Sequence, residues 1–312
     1  IEKLGSAVQG YREGQRVIAG AICPSGHSHA SLCGFHSQDG AGTAHGWKAI
    51  GGWKFGNTID GCQAEFVLVP DAMANLAPVP DGLSDEEVLM CPDIMSTGFS
   101  GAERAGIRIG DTVAVFAQGP IGLCATAGAK LCGATLVIGV DTVRERLEAS
   151  RRMGADRVID AVGVDSERPK VGPAAGQAEQ QAGQFEKELQ QIAPETNTDG
   201  KVFKPGDAPS QAGTWAVQAC AKAGTLSIIG VYPQTDQFFP IGMAMNKNLT
   251  LTMGNCNHRK YVPTLVSMVE SGAIDPIGVL TNVEPMTDVL TAYREFDQRK
   301  PGWVKVELVP GV

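Results

Sequence analysis

A series of buried-strand patterns separated by helical patterns constrains this chain most. Between residues 107 and 162, "DTVAVF", "TLVIGVD" and "RVIDAVG" are almost continuously apolar, and a helical pattern that ends at a glycine follows each of the first two. Strands that are apolar along their whole length are typical of a parallel sheet covered by helices on both faces. The sequence therefore predicts an α/β fold with a doubly wound parallel sheet.

A glycine-bearing turn follows the first of these strands. Gly119 and Gly122 hold the second and third positions of a G-x-G-x-x-G pattern, Ala117 replaces the first glycine, and Pro120 and Ile121 lie between them. The second glycine lets a pyrophosphate approach the backbone, the third lets the helix pack close to the strand, and the helix N-terminus offers free N–H groups. The pattern is weak alone, but its place between a strand and a helix predicts a dinucleotide site.

An acid ends the second strand. Asp141 lies 22 positions after Gly119, where a carboxylate would accept hydrogen bonds from the ribose hydroxyls and repel a 2′-phosphate. This favours NAD over NADP, although Arg144 and Arg146 follow closely and weaken the exclusion. The alternative is a parallel-sheet turn that binds no nucleotide.

The regions on either side of these strands differ from them in composition and pattern. Residues 1–94 carry short strand-like runs such as "RVIAGAI" and "AEFVLVP" between glycine-rich loops, which predicts a small β-rich domain. Residues 164–213 are rich in Gln, Glu, Ala, Pro and Gly and have few large apolar residues outside one amphipathic stretch, "FEKELQQIA". This predicts an exposed insertion that is partly helical and partly mobile. We therefore expect a first domain over 1–94, a nucleotide-binding domain over 95–256, and a return to the first domain over 257–312.

Charge and composition exclude several classes of protein. The net charge of −8 argues against a nucleic-acid partner, which would need a basic face. No apolar run approaches the roughly 18 residues of a membrane helix, and no secretory signal peptide is recognisable. The eight cysteines are scattered along the chain, which indicates reduced thiols and a cytoplasmic protein.

Several longer segments, taken in order, resemble a known family. They are "GGWKFGNTIDGCQAEFVLVPDAMANLAPVPDGL", "MCPDIMSTGFSGAE", "VFAQGPIGLCATAGAKLCGA", "GTLSIIGVY" and "GWVKVELV". With these the chain resembles the medium-chain zinc alcohol dehydrogenases, and most of all the bacterial branch that includes secondary-alcohol dehydrogenases. The resemblance implies a Rossmann domain beside a GroES-like catalytic domain, with zinc and NAD as cofactors.

The same resemblance implies the reaction. It is reversible hydride transfer between NAD and a small primary or secondary alcohol, which becomes the aldehyde or ketone, in a homo-oligomer that is a tetramer or dimer. The segment over 164–213 is similar to the insert of glutathione-independent formaldehyde dehydrogenases, so a formaldehyde dehydrogenase or aldehyde dismutase is an alternative. A nucleotide-binding protein without catalysis is a second alternative.

Asp93 is the metal-ligand candidate. It stands among Cys91, Ile94 and Met95, where a carboxylate is costly to bury unless it is paired or bound to a metal. In the family, a ligand of the catalytic zinc lies just before "STG[FY]", and Asp93 holds that position. The alternative is an N-cap of the following helix. The family's other ligands, a Cys and a His-Glu pair, are expected before Ile1, in an N-terminal segment that this chain lacks.

Further roles are implied by position in the family motifs. Thr97 would contact the nicotinamide, Trp53 would line the substrate pocket, Arg146 would flank the adenosine ribose, Gly230 and Val231 would face the carboxamide, and Lys305 would reach the pyrophosphate. Core packing is the alternative for Trp53, and a solvated side chain is the alternative for Lys305.

A second metal is also considered. The family's structural zinc loop corresponds to a segment that holds Cys23, His27, His29, Cys33 and His36. These residue types can bind zinc, but the C-x2-C spacing is missing. The sequence therefore predicts an ordered loop without metal.

Overall fold

A computed structural model describes most of the chain. The described residues are 1–40, 51–141, 143–153, 157–160, 168, 174–192, 206–230, 232, 236–298 and 300–311, with backbone only for 157–160. The chain divides into two compact units. The first consists of 1–100, 123–127 and 255–312, and the second of 101–122 and 128–254. The domain bounds expected from the sequence stay a prediction.

The described strands are short. They are β1 (Val17–Ala19), β2 (Leu76–Pro78), β3 (Thr112–Phe116), β4 (Leu136–Asp141), β5 (Arg157–Asp160), β6 (Thr225–Ile228), β7 (Thr250–Met253), β8 (Asn282–Pro285) and β9 (Val306–Val309).

Helices connect most of these strands. They are α1 (His29–Leu32), α2 (Ala72–Asn75), α3 (Asp85–Val88), α4 (Ser96–Arg104), α5 (Pro120–Leu131), α6 (Arg144–Arg152), α7 (Ala175–Gln180), α8 (Ala182–Ile192), α9 (Gln211–Ala219), α10 (Ile241–Asn246), α11 (His258–Glu270) and α12 (Val289–Asp297). A π-helical turn, Cys91–Met95, leads into α4. Within the described ranges, no helix has the length and apolar character to cross a membrane.

The second unit is built on parallel strands. β3, β4 and β5 pair in that order, with Val113 opposite Val137, and β6 pairs with β7. Ala129, Ala134 and Val137 form a buried cluster against which Val113 and Val115 pack. Small residues on α5 let the helix approach the strands closely. The predicted parallel sheet with covering helices is confirmed.

The first unit has its core around α11. β1 pairs antiparallel with β2, and β8 pairs parallel with β9. Helix α11 packs against the π-helical turn and β2, and Val262, Leu265, Met90 and Met95 are all buried. This packing positions the turn that carries Asp93.

The sequence "AEFVLVP" does not form the predicted strand. Phe66 and Leu68 are 70% and 73% exposed, and none of the described segments pairs with residues 64–69. The alternating pattern favours extended backbone, but a strand also needs a partner for its N–H and C=O groups.

The described part of the segment over 164–213 is largely helical. It contains α7, α8 and the start of α9, and Ala178 and Phe185 are buried at 0% and 3% exposure. Most of the other residues of α7 and α8 are exposed or half-buried, because a helix with few apolar residues buries them along one stripe. The exposed insertion stays a prediction.

Candidate active site

The turn between β3 and α5 is shaped by its glycines. Ala117 has φ +66°, the left-handed region that favours glycine, and Gly119 is the N-cap of α5 without a side-chain cap. A Cβ at Gly122 would overlap the Ala117 carbonyl oxygen, so close packing requires this glycine. At Gly119, φ is −69° and the nearest atom to an added Cβ is Arg146 Nη1 at 3.9 Å.

The protein itself therefore does not require glycine at position 119. The open backbone and the uncapped helix N-terminus fit an approaching pyrophosphate. Residues 119–122 thus form a cradle of the kind that a dinucleotide needs.

Asp141 is tied to the same turn. Its Oδ2 accepts a hydrogen bond from the Gln118 backbone N–H at 2.6 Å, and its Oδ1 accepts one from the Val143 N–H at 2.8 Å. Arg146 Nη1 lies 3.9 Å from Oδ2, and Asp141 is only 4% exposed. Beyond the ribose contact predicted from the sequence, Asp141 has a backbone role, because it joins the end of β4 to the turn after β3.

The other predicted cofactor and substrate residues lie elsewhere. In the second unit, Gly230 is exposed just after β6, and Val231 lies outside the described residues. In the first unit, Lys305 precedes β9 and its N–H donates to Thr281 Oγ1. Trp53 is half-buried there, and its buried indole Nε1 has no hydrogen-bond partner among the described residues. Within each unit the structure therefore brings together residues 119–122 with Asp141 and Arg146, and Asp93 with Thr97.

The π-helical turn presents Asp93 outward. Cys91, Ile94 and Met95 are buried, but the Asp93 side chain is 55% exposed. The apolar neighbours therefore form the core side of the turn, and burial of this carboxylate is not observed. Asp93 is the third residue of the turn and caps no helix. Thr97 follows in the first turn of α4, at 8% exposure.

Ser96 and His258 lie beside Asp93. Ser96 Oγ donates to the Asp93 main-chain oxygen at 2.9 Å, and the same Oγ lies 2.7 Å from His258 Nδ1. His258 Nε2 is 3.8 Å from Asp93 Oδ1. Burial lowers the pKa of His258; the Asp93 carboxylate opposes this shift and His36 adds to it. His258 is not among the site residues predicted from the sequence, and its one signal there is a histidine at the start of the amphipathic helix α11.

The donors around Asp93 do not complete a zinc site. A catalytic zinc takes three protein ligands. Among the residues that the structure describes, no three His, Cys, Asp or Glu side chains come together around a common point. Carboxylate and imidazole are suitable donors, but Asp93 and His258 are only two.

The histidine-rich loop is organised by a carboxylate. Asp39 is 1% exposed and accepts hydrogen bonds from the Ser25 N–H, the Ser25 hydroxyl and the Ser28 hydroxyl. Burial alone would raise the pKa of Asp39, but the hydrogen bonds from Ser28 and Ser25 outweigh it and lower the pKa. Cys33 Sγ lies 3.8 Å from His29 Nε2.

Comparisons with known proteins identify the family. The family model for zinc-binding dehydrogenases matches residues 120–182, which begin at the first residue of α5. An alcohol dehydrogenase of Cupriavidus necator is 47% identical over 99% of this chain and 81% of its own length. The chain belongs to the zinc-dependent alcohol dehydrogenases. This confirms the resemblance, the fold class and the activity class, that of an oxidoreductase acting on alcohols.

Other relatives of this zinc-dependent alcohol dehydrogenase agree on the fold. The NADP-dependent isopropanol dehydrogenase of Thermoanaerobacter brockii is 31% identical over 91% of this chain and 74% of its own length. The solved structure of alcohol dehydrogenase TADH from Thermus sp. ATN1 superposes with a TM-score of 0.74 at 26% identity, covering 99% of this chain and 81% of that one. Zinc and a nicotinamide cofactor are common to the family, and the choice between NAD and NADP differs among its members.

Proposed function

We propose that this alcohol dehydrogenase uses NAD, with residues 119–122 and Asp141 as the cofactor site. One observation carries the proposal: a carboxylate at the end of β4 is hydrogen-bonded to the turn that offers an open glycine and an uncapped helix N-terminus. When bound, NAD supplies the hydride acceptor for the alcohol carbon.

The residues of this chain have separable tasks in that proposal. The α5 N-terminus and Gly119 hold the pyrophosphate, and Gly122 keeps α5 close to the turn. Asp141 holds the turn in place and puts negative charge where a 2′-phosphate would lie. Arg146 puts a cation 3.9 Å from that carboxylate, which reduces the repulsion without removing it.

Cofactor preference tests this proposal. We expect kcat/KM for alcohol oxidation to be at least about tenfold higher with NAD than with NADP, a difference of about 1.4 kcal/mol. Asp141→Ser should weaken the binding of both cofactors, because it removes the hydrogen bond from the Gln118 N–H that holds the turn, and it should lower the NAD/NADP ratio of kcat/KM. Arg146→Gln is the matched control and should raise that ratio, because it removes the cation that attracts a 2′-phosphate.

The ratio of kcat/KM with NAD to kcat/KM with NADP separates the effect of Asp141 on the turn from its effect on cofactor choice. A fall in both rates at an unchanged ratio would show that the acid only supports the turn. Equal use of NAD and NADP by the unmodified enzyme would contradict the cofactor assignment, while the alcohol-oxidising function would stand.

We also propose that Asp93 is a ligand of the catalytic zinc. The Asp93 carboxylate is accessible, and its Oδ1 lies 3.8 Å from His258 Nε2. Carboxylate oxygens are zinc ligands in proteins. Asp93→Asn should lower the zinc content, measured by atomic absorption, and the rate of alcohol oxidation. NAD affinity should stay within about twofold, since the Gly119 turn belongs to the other unit. Asp81→Asn, at an exposed position of the same unit, should keep its zinc. Full zinc content in Asp93→Asn would remove Asp93 from the ligand set.

A further inference from the structure

Buried hydrogen bonds link His258, at the start of α11, through Ser96 to the main chain at Asp93. Ser96 Oγ lies between the Asp93 carbonyl oxygen, at 2.9 Å, and His258 Nδ1, at 2.7 Å. Ser96 is fully buried and the His258 side chain is 5% exposed. No described residue donates a hydrogen bond to the Asp93 carboxylate, so the turn that carries it must set its direction.

The chemistry of the three groups assigns the protons. A carbonyl oxygen can only accept, so the Ser96 hydroxyl proton goes to Asp93. The Ser96 oxygen can then only accept from His258, and Nδ1 must carry a proton. The other ring nitrogen, Nε2, lies 3.8 Å from Asp93 Oδ1.

The first residue of α11 is packed closely against the end of β1. A Cβ at Gly20, just after β1, would lie 2.9 Å from His258 Cβ, closer than packed carbons approach. Gly20 does not have a positive φ, so close packing against residue 258 explains its glycine. This packing holds the backbone of residue 258 in place, and the 2.7 Å contact with Ser96 holds the imidazole.

We propose that His258 is a positioning residue of this enzyme: by donating from Nδ1 to Ser96, it fixes the π-helical turn and hence the direction of the Asp93 carboxylate. The inference rests on the proposed role of Asp93 in the active site. Segments of π-helix are often found at functional sites and depend on their surroundings for stability. An active-site group must be held within about 0.5 Å of its working position, and this chain of bonds supplies that restraint.

The tautomer is tested first, without reference to activity. In protein labelled with ¹⁵N-histidine, the nitrogen shifts and couplings of His258, assigned from the signal lost in His258→Asn, should be those of an imidazole protonated at Nδ1. Ser96→Ala should change them. A neutral His258 protonated only at Nε2 would overturn the proposal.

Two amide variants then show which ring nitrogen of His258 is required. Asn at position 258 carries an N–H close to where Nδ1 lies, whereas Gln carries one closer to Nε2. With propan-2-ol and NAD, His258→Ala and Ser96→Ala should each lower kcat by about tenfold or more, with NAD affinity within about twofold of the unmodified enzyme. His258→Asn should recover to within about threefold, and His258→Gln should not.

A double variant completes the test. Because Ser96 and His258 act as one chain, Ser96→Ala combined with His258→Ala should lose no more than the worse single variant. If the losses of kcat in the two single variants multiply in the double variant, or if Gln at position 258 restores kcat and Asn does not, the proposal is overturned. If His258→Ala does not fold, the comparison of Asn with Gln decides alone. If the unmodified enzyme oxidises no alcohol, the proposed function fails, and the tautomer still reports on the hydrogen-bond chain.

Discussion

Two glycines of one motif are present for different physical reasons. Gly122 is required by packing within the protein, because a Cβ there would overlap the Ala117 carbonyl oxygen. Gly119 has an ordinary negative φ and open space, apart from Arg146 Nη1 at 3.9 Å. The sequence pattern predicts both glycines, and only the structure separates the one that serves the fold from the one left open for a ligand.

This difference gives a prediction at the scale of single residues. Gly119→Ala should change the free energy of unfolding by less than about 1 kcal/mol, because φ is compatible with alanine, but should weaken NAD binding at least about tenfold by placing a methyl group in the pyrophosphate space. Gly122→Ala should lower the free energy of unfolding by about 2–3 kcal/mol, because α5 must move away from the turn.

Chemical denaturation and calorimetric titration with NAD measure the two effects, and each variant is the other's control. Unaltered NAD affinity in Gly119→Ala would show that the cofactor does not approach this turn.

Among the elements, the helices α7 and α8 show how a segment of polar composition packs. α8 buries Phe185 at 3% exposure and α7 buries Ala178 completely, whereas most of their other residues are exposed or half-buried. The family model also extends to residue 182, well into this segment. Composition averages over a helix, whereas burial depends on which residues share its face.

Packing of α8 gives a prediction at the scale of the element. Phe185→Ala should lower the free energy of unfolding by about 3 kcal/mol, which combines the loss of apolar burial with the cavity left behind. Glu186→Ala, at the next, exposed position of the same helix, should change it by less than about 0.5 kcal/mol. Urea denaturation followed by circular dichroism measures both, and equally small effects would mean that α8 contributes nothing to the stability of the unit.

Strand patterns were reliable where the sheet supplied partners. β3, β4 and the described part of β5 lie where continuous apolar runs predict them, because these strands pair with one another. "AEFVLVP" carries a strand pattern of similar quality, and in the described residues it has no partner and leaves Phe66 exposed.

At the scale of the whole molecule, the two tasks of the enzyme map onto different units. The open glycine turn, Asp141 and Arg146 belong to the second unit, and Asp93, Ser96 and His258 belong to the first. The 47% identity to an alcohol dehydrogenase over 99% of the chain spans both units. Family membership therefore applies to the cofactor residues and to the metal-ligand candidate together.

The sequence by itself determined what depends on neighbours along the chain. The order of strands and helices, the glycine turn, the acid at the end of β4 and the position of Asp93 before "STGF" follow from local patterns and from likeness to the family, because each needs only a short segment to be recognised. Tertiary structure decided what depends on distant residues. Ser96 meets His258 across 162 positions, and Asp141 holds the Gln118 N–H across 23, contacts that exist only after the chain has packed.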